Sequence, residues 1–240
     1  MNVNIIPIKE LYNLIHNYGP SLRPEMSRMD YNTYKVYYKE KVPEEKFRMK
    51  LFMNHFSNAV PSQKALKQLS NYIGKEKALE LNANLGLWSY LLYNEYVDIV
   101  ATNDHTNKNL PLFMPIETIN YLDAFKKYNT RKTLLLECSN AYFVNKKIDE
   151  ILDNFKGDRI ILICEEDNIN KLITEITGGI KRVLSRFKKD SNKLDSQWIN
   201  VNSIRIPQWL DHNMNIYLLE KQSTLEQNKL DDYEISSISL

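Results

Sequence analysis

Hydrophobic and polar positions fall into two regimes along the chain. Up to about residue 76 the apolar residues recur at helical spacing, and beyond it short apolar runs alternate with helical patterns. Residues 7–18 place Leu11, Leu14 and Ile15 on one face. Pro7 suits the first position of that helix, where its missing N–H costs nothing, and Gly19-Pro20 closes it. Tyr31, Tyr34, Tyr37 and Tyr38 also recur at helical spacing, as an aromatic stripe that packs on the rest of the chain or lids a site. A helix over 44–60 presents Phe47, Leu51, Met53 and Phe56, and Pro61-Ser62 opens another with Ala65, Leu66 and Leu69 inward.

Residues 77–104, KALELNANLGLWSYLLYNEYVDIVATND, are the stretch the remainder is organised around. They predict a strand at 77–80, a tight loop at 81–86, a helix from 87–93 and a second strand at 97–101. A strand feeding a helix feeding a parallel strand is the βαβ unit of doubly wound sheets. Ligands bind such sheets at the carboxyl ends of the strands, where the strand order switches. Downstream, 105–115 is a loop interrupted by Pro111 and Pro115. Strands follow at 132–136 and 159–164, with a helix at 146–155 between them. The last two strands, 198–206 and 215–221, are joined through Pro207 to His212, and a polar tail begins at 222.

Composition narrows the classes. A chain of 240 residues, 43% hydrophobic and 26% charged, suits one globular domain with a full core. The net charge of +2 carries no global field for nucleic acid or an acidic substrate. Lys181, Arg182, Arg186, Lys188, Lys189 and Lys193 form the most basic stretch, a solvated helix face on the plain reading and the place for phosphate contacts if RNA is the substrate. Cys138 and Cys164 each follow an apolar run and read as reduced thiols at strand ends; no metal site is expected. With no secretory signal and no run of membrane-span length, a cytoplasmic protein is expected.

Glu80-Leu81-Asn82-Ala83-Asn84-Leu85-Gly86-Leu87-Trp88 resembles the E-x-G-x-G-x-G loop of class I S-adenosylmethionine-dependent methyltransferases. The wider resemblance is to a methyltransferase-like group whose loop reads EVGAGTGYWA. It takes in the segment from Arg48 to Pro61 and Ile206-Pro207-Gln208-Trp209, and covers roughly 46–221. It implies an α/β fold: a Rossmann-like seven-stranded methyltransferase sheet, mostly parallel with one reversed strand, preceded by N-terminal helices. It also implies a helix at 116–128 after the long loop. The expected organisation is an N-terminal helical segment at 1–76, the α/β domain at 77–221 and the tail at 222–240.

The resemblance implies that Glu80, Asn82, Asn84 and Gly86 line the methionine side of the cofactor, that Asn103 or Asp104 meets the ribose, and that Glu137 stands at the reaction centre. Three departures fall in one pocket. Asparagines replace two loop glycines, Asn103 replaces the ribose-binding acid, and Glu137-Cys138-Ser139-Asn140 replaces a "CWPP"-like segment. Glu137 facing the pocket would serve as a general base or bind an amine; its rival reading is a surface carboxylate. His105 lies near the presumed site and reads as a solvated loop residue. Glu165-Glu166-Asp167 reads as a helix's first turn, favoured by the dipole.

Two functions follow. One is methyl transfer from S-adenosylmethionine to an unidentified acceptor; the alternative is an interaction or structural subunit that keeps the fold without the chemistry and supports a protein partner. A nucleotide-binding protein of other chemistry is the third, and the absence of G-x-G-x-x-G and G-K-[ST] speaks against it.

Overall fold

The computed structural model describes residues 7–18, 57, 59–105, 112–137, 150–165, 198–207 and 214–221. The tyrosine stripe, most of the 44–60 helix, Cys138 to Asn140, the 180–193 basic stretch, Gln208-Trp209 and the tail lie outside the described residues.

Seven strands form one sheet: β1 (Ala78–Leu81), β2 (Ile99–Asn103), β3 (Ile116–Thr118), β4 (Thr133–Glu137), β5 (Arg159–Glu165), β6 (Trp198–Arg205) and β7 (Met214–Lys221). Their order is β3-β2-β1-β4-β5-β7-β6, parallel from β3 to β5, with β7 antiparallel to both its neighbours. This is the mostly parallel seven-stranded sheet with one reversed strand that the resemblance implied. The chain leaves β1 toward β2 and β3, then returns to build β4 on the other side, so the strand order switches between β1 and β4.

Alternation along the strands sorts the core into two faces. Ala78, Ile99, Leu135, Ile161 and Ile163 pack on one side with α1 (Ile8–Tyr18), α2 (Gln63–Ile73) and α3 (Leu87–Asn94). Leu79, Leu81, Leu134, Leu136, Ile160 and Leu162 pack on the other with Phe125 of α4 (Tyr121–Lys127) and with Ile151 and Phe155. α2 shows why the sequence folds locally as it does. Ser62 accepts the Ala65 N–H at 3.1 Å as the N-cap, and Leu66, Leu69 and Ile73 form one buried stripe. Each such leucine contributes roughly 1.5–3 kcal/mol through burial. Gly74, at φ 63, ends the helix.

Two expected elements are corrected. The helix at 116–128 is a strand, a short link and a helix. Ile116, Glu117 and Thr118 pair with Ala101, Thr102 and Asn103, and Asn120 then caps α4 by accepting the Asp123 N–H at 3.0 Å. The helix expected over 44–60 does not reach its C-terminal bound: residues 57, 59 and 60 are not helical. Pro61 disfavours a helical Val60, and Ser57 Oγ takes the Ala59 N–H at 3.2 Å. Among the described residues no helix is long and apolar enough to cross a membrane.

Candidate functional site at the strand-order switch

The β1–α3 loop carries three left-handed residues, Asn82 at φ 55, Asn84 at φ 51 and Gly86 at φ 80. These are the three positions that the motif assigns to glycine. A side chain in this conformation costs roughly 1–2 kcal/mol, and asparagine tolerates it better than most residues. The backbone turn is therefore kept where the glycines are not.

The end of β2 fastens this loop. The Ala83 N–H donates to the Thr102 carbonyl at 3.0 Å, and Thr102 Oγ1 donates to the Glu80 carbonyl at 2.9 Å. Asn103, 2% exposed, reaches Asn84 twice: its Oδ1 accepts the Asn84 N–H at 3.0 Å and its Nδ2 donates to the Asn84 carbonyl at 3.0 Å. On the other flank the Phe113 N–H donates to the Leu85 carbonyl at 2.9 Å, and the Phe113 ring stacks on Tyr90 of α3. A Cβ on Gly86 would lie 3.1 Å from Met114 Cγ and 3.3 Å from Ile116 Cδ1, so the chain's own side chains pack closely there.

Glu80 is 1% exposed and points to the face of α3. Its Oε2 accepts the Ser89 N–H at 3.1 Å and the Ser89 hydroxyl. Gly86 has no side chain to cap α3, and Glu80 supplies the cap from the sheet. Burial pushes the Glu80 carboxyl up to about 8; the Ser89 hydroxyl opposes this and the Glu137 charge reinforces it.

Glu137 ends β4, one residue past the row that aligns Leu81 with Leu136, so it faces the switch from the strand beside β1. It is 4% exposed, and Ser57 Oγ lies 2.8 Å from each carboxylate oxygen. It is a buried carboxylate rather than the surface group that formed the rival reading. Asp104 sits just past β2, exposed, with its Oδ1 2.7 Å from Nδ1 of the equally exposed His105. Cys164 is buried on β5, packed on the face away from Glu80.

The structure thus brings Glu80, Asn82, Asn84, Gly86 and Asn103 together at the β1–α3 loop, sets Glu137 beside it across the switch, and leaves Asp104 at the rim. Sequence reasoning missed Ser57, Ser89 and Thr102. Ser57 lies within the resembling 48–61 segment, but nothing in a lone serine showed that it would meet a strand-end carboxylate 80 positions on.

The residues present fit an S-adenosylmethionine-type group in part by one feature and in part by another. The left-handed 82, 84 and 86 positions keep the backbone cradle, and Asp104 supplies an accessible carboxylate at the β2 end. Asn103 has both arms of its amide on the loop.

No protein-family model and no curated protein sequence matches the chain. Among solved structures, it is similar to a protein assigned as a SAM-dependent methyltransferase from Streptococcus mutans, at 9% identity and TM-score 0.44, over 65% of this chain and 46% of that one. It is also similar to a ribosomal protein L11 methylase from Lactobacillus delbrueckii subsp. bulgaricus (8% identity, TM-score 0.40, 68% and 81% covered). A third is an rRNA methylase from Escherichia coli (12% identity, TM-score 0.41, 79% and 81% covered). The chain spans less than half the length of the first of these. The fold is class I methyltransferase-like; that statement stands on the chain's own strand order and reversed β7.

Proposed function

We propose that the chain binds S-adenosylmethionine in the crevice between β1 and β4 and directs its methyl group to a nucleophilic acceptor. The observation that carries this reading is the run of left-handed residues 82, 84 and 86, with asparagine in two of the three glycine places, at the strand-order switch. A loop of no ligand-binding use has no reason to keep three such conformations on alternate residues, two of them at a cost in backbone energy.

In this reading the main chain of 82–86 meets the methionine half, and Asp104 accepts hydrogen bonds from the ribose hydroxyls. When bound, the cofactor supplies an activated methyl carbon. Catalysis is mainly positioning of the acceptor for in-line attack. Glu137, fixed by Ser57 Oγ at 2.8 Å, orients the acceptor's X–H and takes its proton as the new bond forms. Glu80 keeps the α3 N-terminus in place and touches no reacting atom. For an RNA acceptor, the 181–193 basic stretch is assigned the phosphate contacts.

Two observations favour the alternative of a structural subunit: Met114 and Ile116 pack closely where a Gly86 side chain would be, and the Asn103 amide is engaged by the loop. Calorimetric titration with S-adenosylmethionine and S-adenosylhomocysteine separates the two. Micromolar binding, about −8 kcal/mol, is expected. No heat and no thermal shift at millimolar ligand would leave only the subunit reading.

A further inference from the structure

We infer that Asn103 is a positioning residue that latches the 82–86 loop, and that it has exchanged direct ligand contact for that task; this rests on the function proposed above. Its carboxamide is used as a donor and an acceptor at once, both on the main chain of a single residue. Oδ1 takes the Asn84 N–H and Nδ2 gives to the Asn84 carbonyl, each at 3.0 Å. The residue so held is the middle of the three left-handed positions, at φ 51, and is not a glycine. A glycine there would adopt the conformation without help, whereas an asparagine gains from being held. Asn84 and Asn103 thus form a compensating pair: the amide on β2 holds the main chain of the left-handed residue on the loop.

An aspartate cannot perform this task, since it has no donor for the Asn84 carbonyl and would set oxygen against oxygen. The same fact separates the latch from its rival. If Asn103 met the ligand's ribose, Asn103→Asp would preserve or strengthen binding, because a carboxylate accepts from two hydroxyls. If Asn103 holds the loop, the same change weakens binding. The Thr102 carbonyl and hydroxyl bonds to Ala83 and Glu80 keep the adjoining backbone in place. The effect of the change is therefore local to residue 84.

The test is amide hydrogen exchange at residue 84 in the ligand-free protein, paired with calorimetric titration of S-adenosylhomocysteine. For Asn103→Asp the latch predicts exchange at Asn84 roughly tenfold faster or more, from the loss of the donor to the Asn84 carbonyl and the oxygen–oxygen repulsion that replaces it, and a comparable weakening of ligand binding. Adding Asn84→Gly, whose backbone needs no latch, is expected to recover part of the lost affinity, and this double variant guards against simple misfolding of the single one. Unchanged exchange with equal or tighter ligand binding would overturn the latch in favour of direct ribose contact. Faster exchange with unchanged affinity would overturn the positioning role. If the wild-type chain binds no S-adenosylhomocysteine, the proposed function fails and the positioning role falls with it. The exchange comparison still decides whether the latch exists.

Discussion

Replacing Glu80 with glutamine isolates the most heavily buried titratable group at the site. The carboxyl's ordinary value of 4.5 rises to about 8 in the folded chain, chiefly through burial. A group whose folded value is raised binds its proton more tightly in the native state than in the unfolded one. Its stabilising contribution is complete below about 4.5 and is lost as the pH climbs through about 8. At roughly 1.4 kcal/mol per pH unit, that window corresponds to a ceiling of about 5 kcal/mol, of which about 3 kcal/mol is already gone at pH 7. Relaxation of the site reduces these figures, and about half is a realistic expectation.

Glutamine keeps the oxygen that receives the Ser89 N–H and hydroxyl, and it never ionises. Urea unfolding of wild type and Glu80→Gln at several values between pH 5 and 8 reads the difference directly. The wild type should lose stability with rising pH relative to the variant, so that the variant is the more stable protein at pH 8 by about 2 kcal/mol or more. Unfolding curves that stay parallel across the window would refute the reasoning, because they would place a charged Glu80 in the native state at neutral pH.

Three other perturbations follow from the same geometry. Gly157→Ala would set a Cβ well inside contact distance of Phe155 Cζ and the Lys132 carbonyl oxygen, and the second is backbone that cannot swing aside; calorimetric melting should show a loss of about 3 kcal/mol or a failure to fold. Tyr96 is 98% exposed and left-handed at φ 65, just past the end of α3, where glycine is usual, so Tyr96→Gly should raise the melting temperature by an amount equivalent to about 1 kcal/mol. Glu137→Gln should leave S-adenosylhomocysteine affinity within about threefold while methyl transfer, once an acceptor is found, falls by roughly a hundredfold or more; equal losses in both would move Glu137 from the acceptor to the cofactor.

The sheet was legible because its signals are local and strong. β1, the loop, α3 and β2 follow from one βαβ pattern, and β5 from the run RIILIC. β3 was not legible: three residues are too few to show alternation, and Ile116-Glu117-Thr118 becomes a strand by pairing with β2. The Asn120-x-x-Asp123 cap was the available sign that a helix begins only after it. At the site, asparagines stand at two of the motif's glycine positions. The structure gives them left-handed backbone, and spacing does not encode that. The pairing of Asn103 with Asn84, and of Ser57 with Glu137, joins residues 19 and 80 positions apart, so it exists only once the sheet has assembled.

The most direct test of the central claim is a heteronuclear NMR titration of the nitrogen-labelled chain with S-adenosylhomocysteine, following backbone amides one by one. Saturable shifts centred on 82–86 and on Asp104, with the far β6–β7 edge unmoved, are the result predicted here. Saturable shifts elsewhere, or none at millimolar ligand, would contradict a cofactor cradle at the β1–β4 switch.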